Sequence, residues 1–194
     1  MARPAGHLMP EDTPAEVAAV QRLSTTAHWD VALPVGETVL HLLAFSATTP
    51  VFDGPEDRNG RRNHDEVGFW TRYEPGGPFV VMGNANLDPD DGEGRREAIH
   101  ALLARVQDPE PRSEGGAAAV QDGANAVQTG DPALDTGDWA EADGPGNLRV
   151  DYALPSKQLR VIDSGVVWQA EGPLAEAALT ASRHRLVWVD LEID

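Results

Sequence analysis

The chain has 194 residues, of which 41% are hydrophobic and 24% charged, a composition that suits one globular domain with its own core. Its 32 acidic residues against 15 basic ones give a formal charge of −17, which disfavours binding to an extended nucleic acid. The sequence contains no cysteine, which excludes disulfides, thiolate metal sites and a cysteine nucleophile within these 194 residues.

The N-terminal segment does not resemble a secretory signal, because it turns acidic at Glu11 and Asp12 without an apolar core. Apolar runs elsewhere are far shorter than the roughly 20 residues of a membrane span, so no membrane partner is expected. We therefore expect a cytoplasmic protein, or a secreted or periplasmic one if the true N-terminus lies upstream. Residues 1–22 are interpreted as an N-terminal extension in which Thr13 caps a short helix and Pro14 takes its first position.

The rest of the chain alternates strand and helix patterns. The predicted elements are strands at 29–33 and 38–45, a helix at 61–73, a strand at 78–83, a helix at 95–106, and strands at 148–154, 159–162, 166–168 and 185–193. Pro34-Val-Gly36-Glu predicts a hairpin between the first two strands. Residues 111–145 contain few large apolar residues and predict a long surface excursion or partial disorder. The tryptophans in these patterns are interpreted as core anchors rather than base-stacking platforms: Trp29, Trp70, Trp168 and Trp188.

Two acidic groups have a spacing that could suggest a cation site. The run at 88–93 places carboxylates around a glycine, but it lacks a complete twelve-residue calcium loop with a terminal glutamate. Helix capping and solvation explain this run better. The second group is ambiguous in the same way, and a structured loop is favoured over a metal site there: Asp53, Glu56, Asp57 and Asp65.

Six segments follow one another in an informative order. They are His28-Trp-Asp-Val, residues 50–66, Gly83-Asn-Ala-Asn-Leu-Asp-Pro, Gly130-Asp-Pro-Ala-Leu-Asp-Thr, Asn147-Leu-Arg-Val-Asp-Tyr-Ala-Leu-Pro-Ser and Ser182-Arg-His-Arg-Leu-Val-Trp-Val-Asp. In order and spacing they resemble a bacterial branch of the endonuclease/exonuclease/phosphatase superfamily, the metal-dependent phosphoesterases. The resemblance runs from about Leu23 to the C-terminus and covers the C-terminal half of that family's domain.

This resemblance implies an α+β fold, namely part of a four-layer α/β sandwich of the DNase type with a mixed β-sheet flanked by helices and the N-terminal half missing. The domain would occupy residues 23–194, with the surface excursion at about 111–145. The family's early strands, which carry an asparagine and a metal-binding glutamate, would precede this region. A sheet face that the missing half covers would be exposed, so we expect self-association or a partner that covers it.

The resemblance also implies a site at the end of the strand at 78–83. The family usually has Gly-Asp-x-Asn there, whereas this chain has Gly83-Asn-Ala-Asn86. Asn86 keeps the amide that contacts phosphate, but Asn84 replaces the carboxylate that orients water. Because an amide does not accept a proton as a carboxylate does, a loss of about 10²–10⁴-fold is expected for such a group.

Three further positions belong to the implied site. The family's closing Ser-Asp-His reads Ser182-Arg183-His184 here, so His184 is kept while Arg183 puts a cation where an anion is usual. Asp151, in Arg149-Val-Asp-Tyr, would orient His184. Ser46 occupies the place of a further histidine and carries no charge near neutral pH.

The implied activity is hydrolysis of a small phosphate mono- or diester, with Mg²⁺, or Mn²⁺ or Ca²⁺, as the divalent cofactor. The catalytic residues implied for this chain are His184, Asp151 and Asn86, and the substitutions at Asn84, Arg183 and Ser46 predict weakened or lost activity. A non-catalytic relic or binding module that keeps the fold is the alternative. A truncated product of a longer phosphoesterase gene is a third reading.

Overall fold

The computed structural model describes Met9 and residues 13–193 of the chain. The helices are α1 (Ala15–Val20), α2 (Arg58–Phe69), α3 (Glu97–Arg105), α4 (Glu114–Ala117) and α5 (Pro173–Ala181). The strands are β1 (His28–Val35), β2 (Thr38–Ser46), β3 (Phe79–Asn84), β4 (Gly137–Asp138), β5 (Asn147–Leu148), β6 (Asp151–Pro155), β7 (Arg160–Val166) and β8 (Val187–Glu192). The α+β prediction is confirmed.

The main sheet has four strands in the order β1-β2-β3-β6. Strands β2 and β3 are parallel, and the other neighbours are antiparallel, so the sheet is mixed. The predicted hairpin joins β1 to β2, and Gly36 at its turn has a φ of 59°, a left-handed conformation that a glycine adopts without steric cost. Strands β4 and β5 form a small pair, as do β7 and β8.

Helices α2 and α3 cover one face of the main sheet. Because side chains alternate along a strand, Leu43 of β2, Val81 of β3 and Leu154 of β6 lie on that face. They pack in one cluster with Val67 of α2, with Trp70 directly after that helix, and with Ile99 and Leu102 of α3. This cluster is the core that holds the strand ends in place.

The opposite face of the main sheet is only partly covered. Leu40 and Val80 pack there with Leu159 of the loop before β7. The rest of this face carries exposed apolar side chains, namely Trp29, Val31, Leu33 and Met82. Trp29 is 62% exposed, so the interpretation of this tryptophan as a core anchor is wrong.

Residues 111–145 form short ordered elements that buried polar groups hold together. Ser113 Oγ accepts a hydrogen bond from the Gly116 N–H, and the side-chain oxygen of Asn125 accepts one from the Asn147 N–H. The expectation of partial disorder is therefore wrong, because buried polar side chains hold these short elements in place through hydrogen bonds to the backbone.

Other element boundaries differ from the sequence predictions. Helix α1 has Pro14 at its N-cap with no side-chain cap, so the Thr13 cap is wrong. Helix α2 begins at Arg58, three residues earlier than predicted, and ends at Phe69. Strand β7 is a single element where two were predicted, and α5 was not predicted. In the part of the chain that the structure describes, no helix has the length and apolarity of a bilayer span.

Candidate functional site

The register of the main sheet places three of the expected site residues in a row. Ser46 at the end of β2 pairs with Asn84 at the end of β3, and Asn84 pairs with Asp151 at the start of β6. The parallel arrangement of β2 and β3 is what brings their ends to one edge, and the antiparallel β6 begins there. One edge of the sheet therefore carries a hydroxyl, an amide and a carboxylate side by side.

His184 reaches this edge through a short backbone pairing. It forms an isolated bridge with Gly137, and the N–H of Arg185 donates to the carbonyl of Thr136 at 2.7 Å. The fully buried Thr136 hydroxyl accepts hydrogen bonds from the N–H groups of Val150 and Asp151. Thr136 thus ties the histidine segment to the start of β6, a role that the sequence did not reveal.

The predicted pair between Asp151 and His184 is formed. Nδ1 of His184 lies 2.8 Å from Oδ2 of Asp151, across 33 residues of chain. The hydrogen bond to Asp151 raises the pKa of His184 above its ordinary value of 6.5, while partial burial works against it. Nδ1 therefore donates its proton to the carboxylate, and Nε2 makes no hydrogen bond with the described residues.

Asn84 faces the same ring nitrogen with a hydrogen-bond donor. Its Oδ1 accepts the N–H of Asn86 at 2.6 Å, and this bond fixes which end of the amide carries the oxygen. Its Nδ2 consequently lies 3.2 Å from Nδ1 of His184. When the histidine is protonated, donor faces donor, so Asn84 neither accepts the proton nor stabilises the imidazolium.

Asn86 lies beside this group and does not contact His184. Its backbone is left-handed, with a φ of 49°, and its Nδ2 donates to the carbonyl of Ala47 at 2.8 Å. That bond orients the amide at the sheet edge and occupies one of its two N–H groups. The backbone N–H of Asn86, and not its side-chain amide, is linked to the histidine through Asn84.

Arg183 and Ser46 are not part of the contact network. Both side chains are exposed, and neither makes a hydrogen bond with the described residues. Their backbone carbonyls are used instead, by the Asp138 N–H and by the Thr26 hydroxyl respectively. The structure therefore gathers Asp151, Asn84 and His184, and leaves these two substituted positions at the margin.

Two neighbours of His184 were missed by sequence reasoning. The Trp139 ring stands edge to face against the imidazole, with ring centroids 5.3 Å apart and planes at 89°. Arg185 is buried, pairs with Asp138 at 2.6 Å and covers the Trp168 ring at 4.6 Å. Trp139 lies in a segment without a motif, and Arg185 lies in the closing motif segment at a position to which the resemblance assigned no role. Their partners distant in sequence, His184 for Trp139 and Asp138 for Arg185, reveal them.

The described residues do not make a divalent-metal site at this edge. Within residues 13–193, no group of three or more histidines and carboxylates is placed to hold a metal ion. Asp151 is the carboxylate of this cluster, and it is engaged by His184. The amide oxygen of Asn84 is likewise used by Asn86. The residues present here thus do not fit Mg²⁺, Mn²⁺ or Ca²⁺ by themselves.

The two acidic groups in the loops have structural partners. Asp88 accepts hydrogen bonds from the N–H groups of Asp90, Asp91 and Arg149. Asp53 accepts the N–H of Asn59 at 2.5 Å. These contacts support the capping and structured-loop interpretations over cation sites.

Comparisons with known proteins identify a family and similar folds. The model of the "Endonuclease/Exonuclease/phosphatase family" matches residues 9–184. An endonuclease/exonuclease/phosphatase from Beutenbergia cavernae is similar at 16% identity and a TM-score of 0.50, over 87% of this chain and 38% of its own. A family protein from Leptotrichia buccalis, at 17% identity and a TM-score of 0.48, is matched over 84% of this chain and 52% of its own.

A sphingomyelinase C from Streptomyces griseocarneus is similar at 11% identity and a TM-score of 0.40, over 83% of this chain and 52% of its own. The chain thus spans about half or less of the length of these three solved structures. No curated protein matches it. At such identities the likeness concerns the fold alone, and it agrees with a mixed sheet flanked by helices.

Proposed function

Because the chain belongs to the endonuclease/exonuclease/phosphatase family, we propose that its sheet edge is a phosphate-ester site that hydrolyses a small phosphate mono- or diester in weakened form. The observation that supports this most is the hydrogen bond of 2.8 Å between His184 and Asp151. A histidine whose protonated form is favoured by a carboxylate is suited to donate a hydrogen bond or a proton to a phosphate oxygen.

Each of the three residues has a role in the proposal. Asp151 raises the pKa of His184, which favours its protonated form, and fixes the direction of its ring through Nδ1. The free Nε2–H then donates to a phosphate oxygen and supplies a proton to the leaving alkoxide. Asn86 contributes its remaining amide N–H as a second donor to the phosphate.

The substitution at Asn84 is the reason for proposing weakened turnover. Hydrolysis needs a group that orients and deprotonates the attacking water, and a positioned base contributes about 10²–10⁴-fold to the rate. Asn84 turns a donor towards the histidine and offers no carboxylate. Binding and proton donation are therefore better supported than water activation.

The family generally depends on a divalent metal, which when bound polarises the phosphate and activates water. The described residues at the sheet edge do not fit such an ion, so the chemistry proposed for this chain is confined to Asp151, His184 and Asn86.

The proposal is tested by steady-state hydrolysis of an aryl phosphate monoester and diester, with and without Mg²⁺ or Mn²⁺. The variant His184→Ala removes the proposed donor. The control is His100→Ala, an exposed histidine of α3 that bonds the Pro89 carbonyl and forms no hydrogen bond with Asn84, Asp151 or His184. Turnover that His184→Ala abolishes and His100→Ala keeps supports the proposal, and equal rates in all three proteins contradict it.

A non-catalytic phosphate-binding module is the second candidate. The amide at Asn84 favours it, because this position offers no base, while the Nε2–H of His184 and the remaining amide N–H of Asn86 are donors that suit anion binding. Saturable binding of a phosphate ester without turnover, lost in His184→Ala, distinguishes this candidate from an enzyme.

The exposed apolar face of the main sheet supports a second proposal, that a further polypeptide surface covers it. Trp29, Val31, Leu33 and Met82 are large apolar side chains on that face. Contiguous apolar surface of this kind marks an interaction site or a tendency to associate. A second copy of the chain or a separate polypeptide would cover these apolar side chains and remove them from water.

A further inference from the structure

A second cationic site lies away from the sheet edge, in a cavity between helices α1 and α2. The cavity has a volume of about 270 Å³ and is lined on α2 by Arg58, Arg61 and Arg62. These arginines are spaced three and four positions apart, so they lie on one face of the helix. Val17 of α1 forms part of the opposite wall.

The three guanidinium groups have no counter-ion in the part of the chain that the structure describes. Arg62 is only 7% exposed, and Nε of Arg61 is buried without a hydrogen-bond partner. No described carboxylate forms an ion pair with any of the three. Several other arginines do have such partners: Arg95 pairs with Asp57, Arg149 with Asp108 and Arg185 with Asp138.

This arrangement is unusual because the chain has about two acidic residues for every basic one. A buried charge without a partner is costly, and nearby carboxylates normally neutralise it. Glu56 lines the cavity, but its carboxylate packs against Gly54 and forms no ion pair with the arginines. Three cations that converge on one cavity, without a partner among the described residues, indicate that an external anion completes the site.

We propose that this arginine cavity binds a phosphate group, either free phosphate or the phosphate of a small organic monoester. A carboxylate brings one charge and two oxygens, whereas a phosphate dianion brings two charges and three terminal oxygens. Planar guanidinium groups bind such oxygens in pairs with fixed geometry. The site goes beyond the proposed phosphoesterase function, because it shares no residue with the cluster at His184.

The proposal predicts that phosphate stabilises the folded protein, since a ligand that binds only the native state raises its stability. Thermal unfolding and calorimetry of the full chain with inorganic phosphate, at constant ionic strength, should give saturable binding and a rising unfolding temperature. In Arg62→Met the response should disappear. Without phosphate this variant should unfold at the same or a higher temperature, because an unpaired buried charge has been removed.

A second variant guards against a folding defect at the buried position. Arg58 is exposed, and Arg58→Gln should weaken phosphate binding about tenfold or more, as expected for one charge-assisted hydrogen bond. Arg72→Gln is the matched control, because Arg72 is an exposed arginine outside the cavity. His184→Ala should leave this binding intact, which separates the arginine cavity from the sheet-edge site.

Several outcomes would overturn the proposal. They include no saturable phosphate binding by the wild-type chain, undiminished binding by both arginine variants, and an equal loss in Arg72→Gln. Glu11 and Asp12 stand between the lining residues Met9 and Thr13 in the sequence, so Glu11→Gln with Asp12→Asn is a further test. Binding that occurs only in this double variant also contradicts the proposal.

Competition between phosphate and glycerol phosphate supports a site for the phosphate group, and a preference between them identifies its source.

Discussion

Asp151 accepts a hydrogen bond of 2.8 Å from Nδ1 of His184, and this bond joins the first residue of β6 to the segment before β8. The bridge between Gly137 and His184, together with the Thr136 hydroxyl, fixes both ends of the contact. Such a pair sets both the charge and the direction of the imidazole. The first predictions concern this pair.

Asp151→Asn should lower the pKa of His184 towards its ordinary value of 6.5, because the bond to the carboxylate is the main cause of the raised pKa. A raised histidine pKa stabilises the fold below 6.5, and this contribution is lost as pH rises through the folded-state value. Asp151→Asn should lack this pH-dependent decline in the free energy of unfolding. NMR titration of the His184 ring measures the shift, and an unchanged titration would contradict the role of Asp151.

Asn84→Asp should increase the rate of hydrolysis at least about tenfold if water activation limits that rate. A positioned base contributes about 10²–10⁴-fold, and the new carboxylate should restore part of this. The new carboxylate would also raise the pKa of His184 further, since Nδ1 lies 3.2 Å from the present amide nitrogen. Asn84→Ala is the control, because it removes the amide without adding a base. A rate in Asn84→Asp no higher than in Asn84→Ala argues against the assignment.

Asp135→Asn should stabilise the protein at neutral and alkaline pH. Burial, helped by the charges of Asp88, Asp91 and Asp131, raises the pKa of Asp135 to about 8. In the unfolded chain Asp135 ionises near pH 3.8. Between pH 3.8 and about 8 the free energy of unfolding of the wild type therefore falls by up to about 1.4 kcal/mol per pH unit.

The amide does not titrate, so the pH dependence of Asp135→Asn should be flatter over that range. Urea unfolding of both proteins at several pH values measures the difference. Asp163→Asn is a control at an exposed aspartate. Parallel curves for wild type and Asp135→Asn would show that Asp135 is not the buried acid responsible.

Trp29→Ser should reduce association through the open face of the main sheet. The side chain is large, apolar and 62% exposed, so it contributes strongly to any contact there. Light scattering should give a smaller apparent mass, and binding of a hydrophobic-surface dye should fall. Phe52→Ser is the control, because this exposed phenylalanine lies in the loop before α2. A wild-type monomer that binds no dye would refute the expectation.

Sequence reasoning recovered the parts of the fold and site that local patterns encode. The β1–β2 hairpin, helix α3 and the pairing of Asp151 with His184 follow from turn residues, apolar spacing and a motif resemblance. The order within residues 111–145 was missed, because buried polar contacts such as Asn125 with Asn147 leave no periodic signal. Partners distant in sequence are invisible to such patterns.

The same limit explains the site residues that were not anticipated. Thr136 and Trp139 acquire their roles only when the 136–139 segment pairs with the residues around His184. Sequence patterns assigned no role to the three arginines of α2, and only the cavity beside α1 shows that they lack a counter-ion among the described residues. Exposure is equally hard to foresee, as Trp29 demonstrates, because it depends on what covers the second face of the sheet.

The most direct test of the sheet-edge phosphoesterase site is the rate of aryl phosphate ester hydrolysis as a function of pH, for the wild-type chain and His184→Ala with Mn²⁺ or Mg²⁺ present. The wild-type rate should exceed that of the variant and should fall as pH rises through the folded-state pKa of His184, because the proton donor is lost. Equal rates at every pH, or a wild-type rate without that fall, would contradict the assignment of His184 as the proton donor.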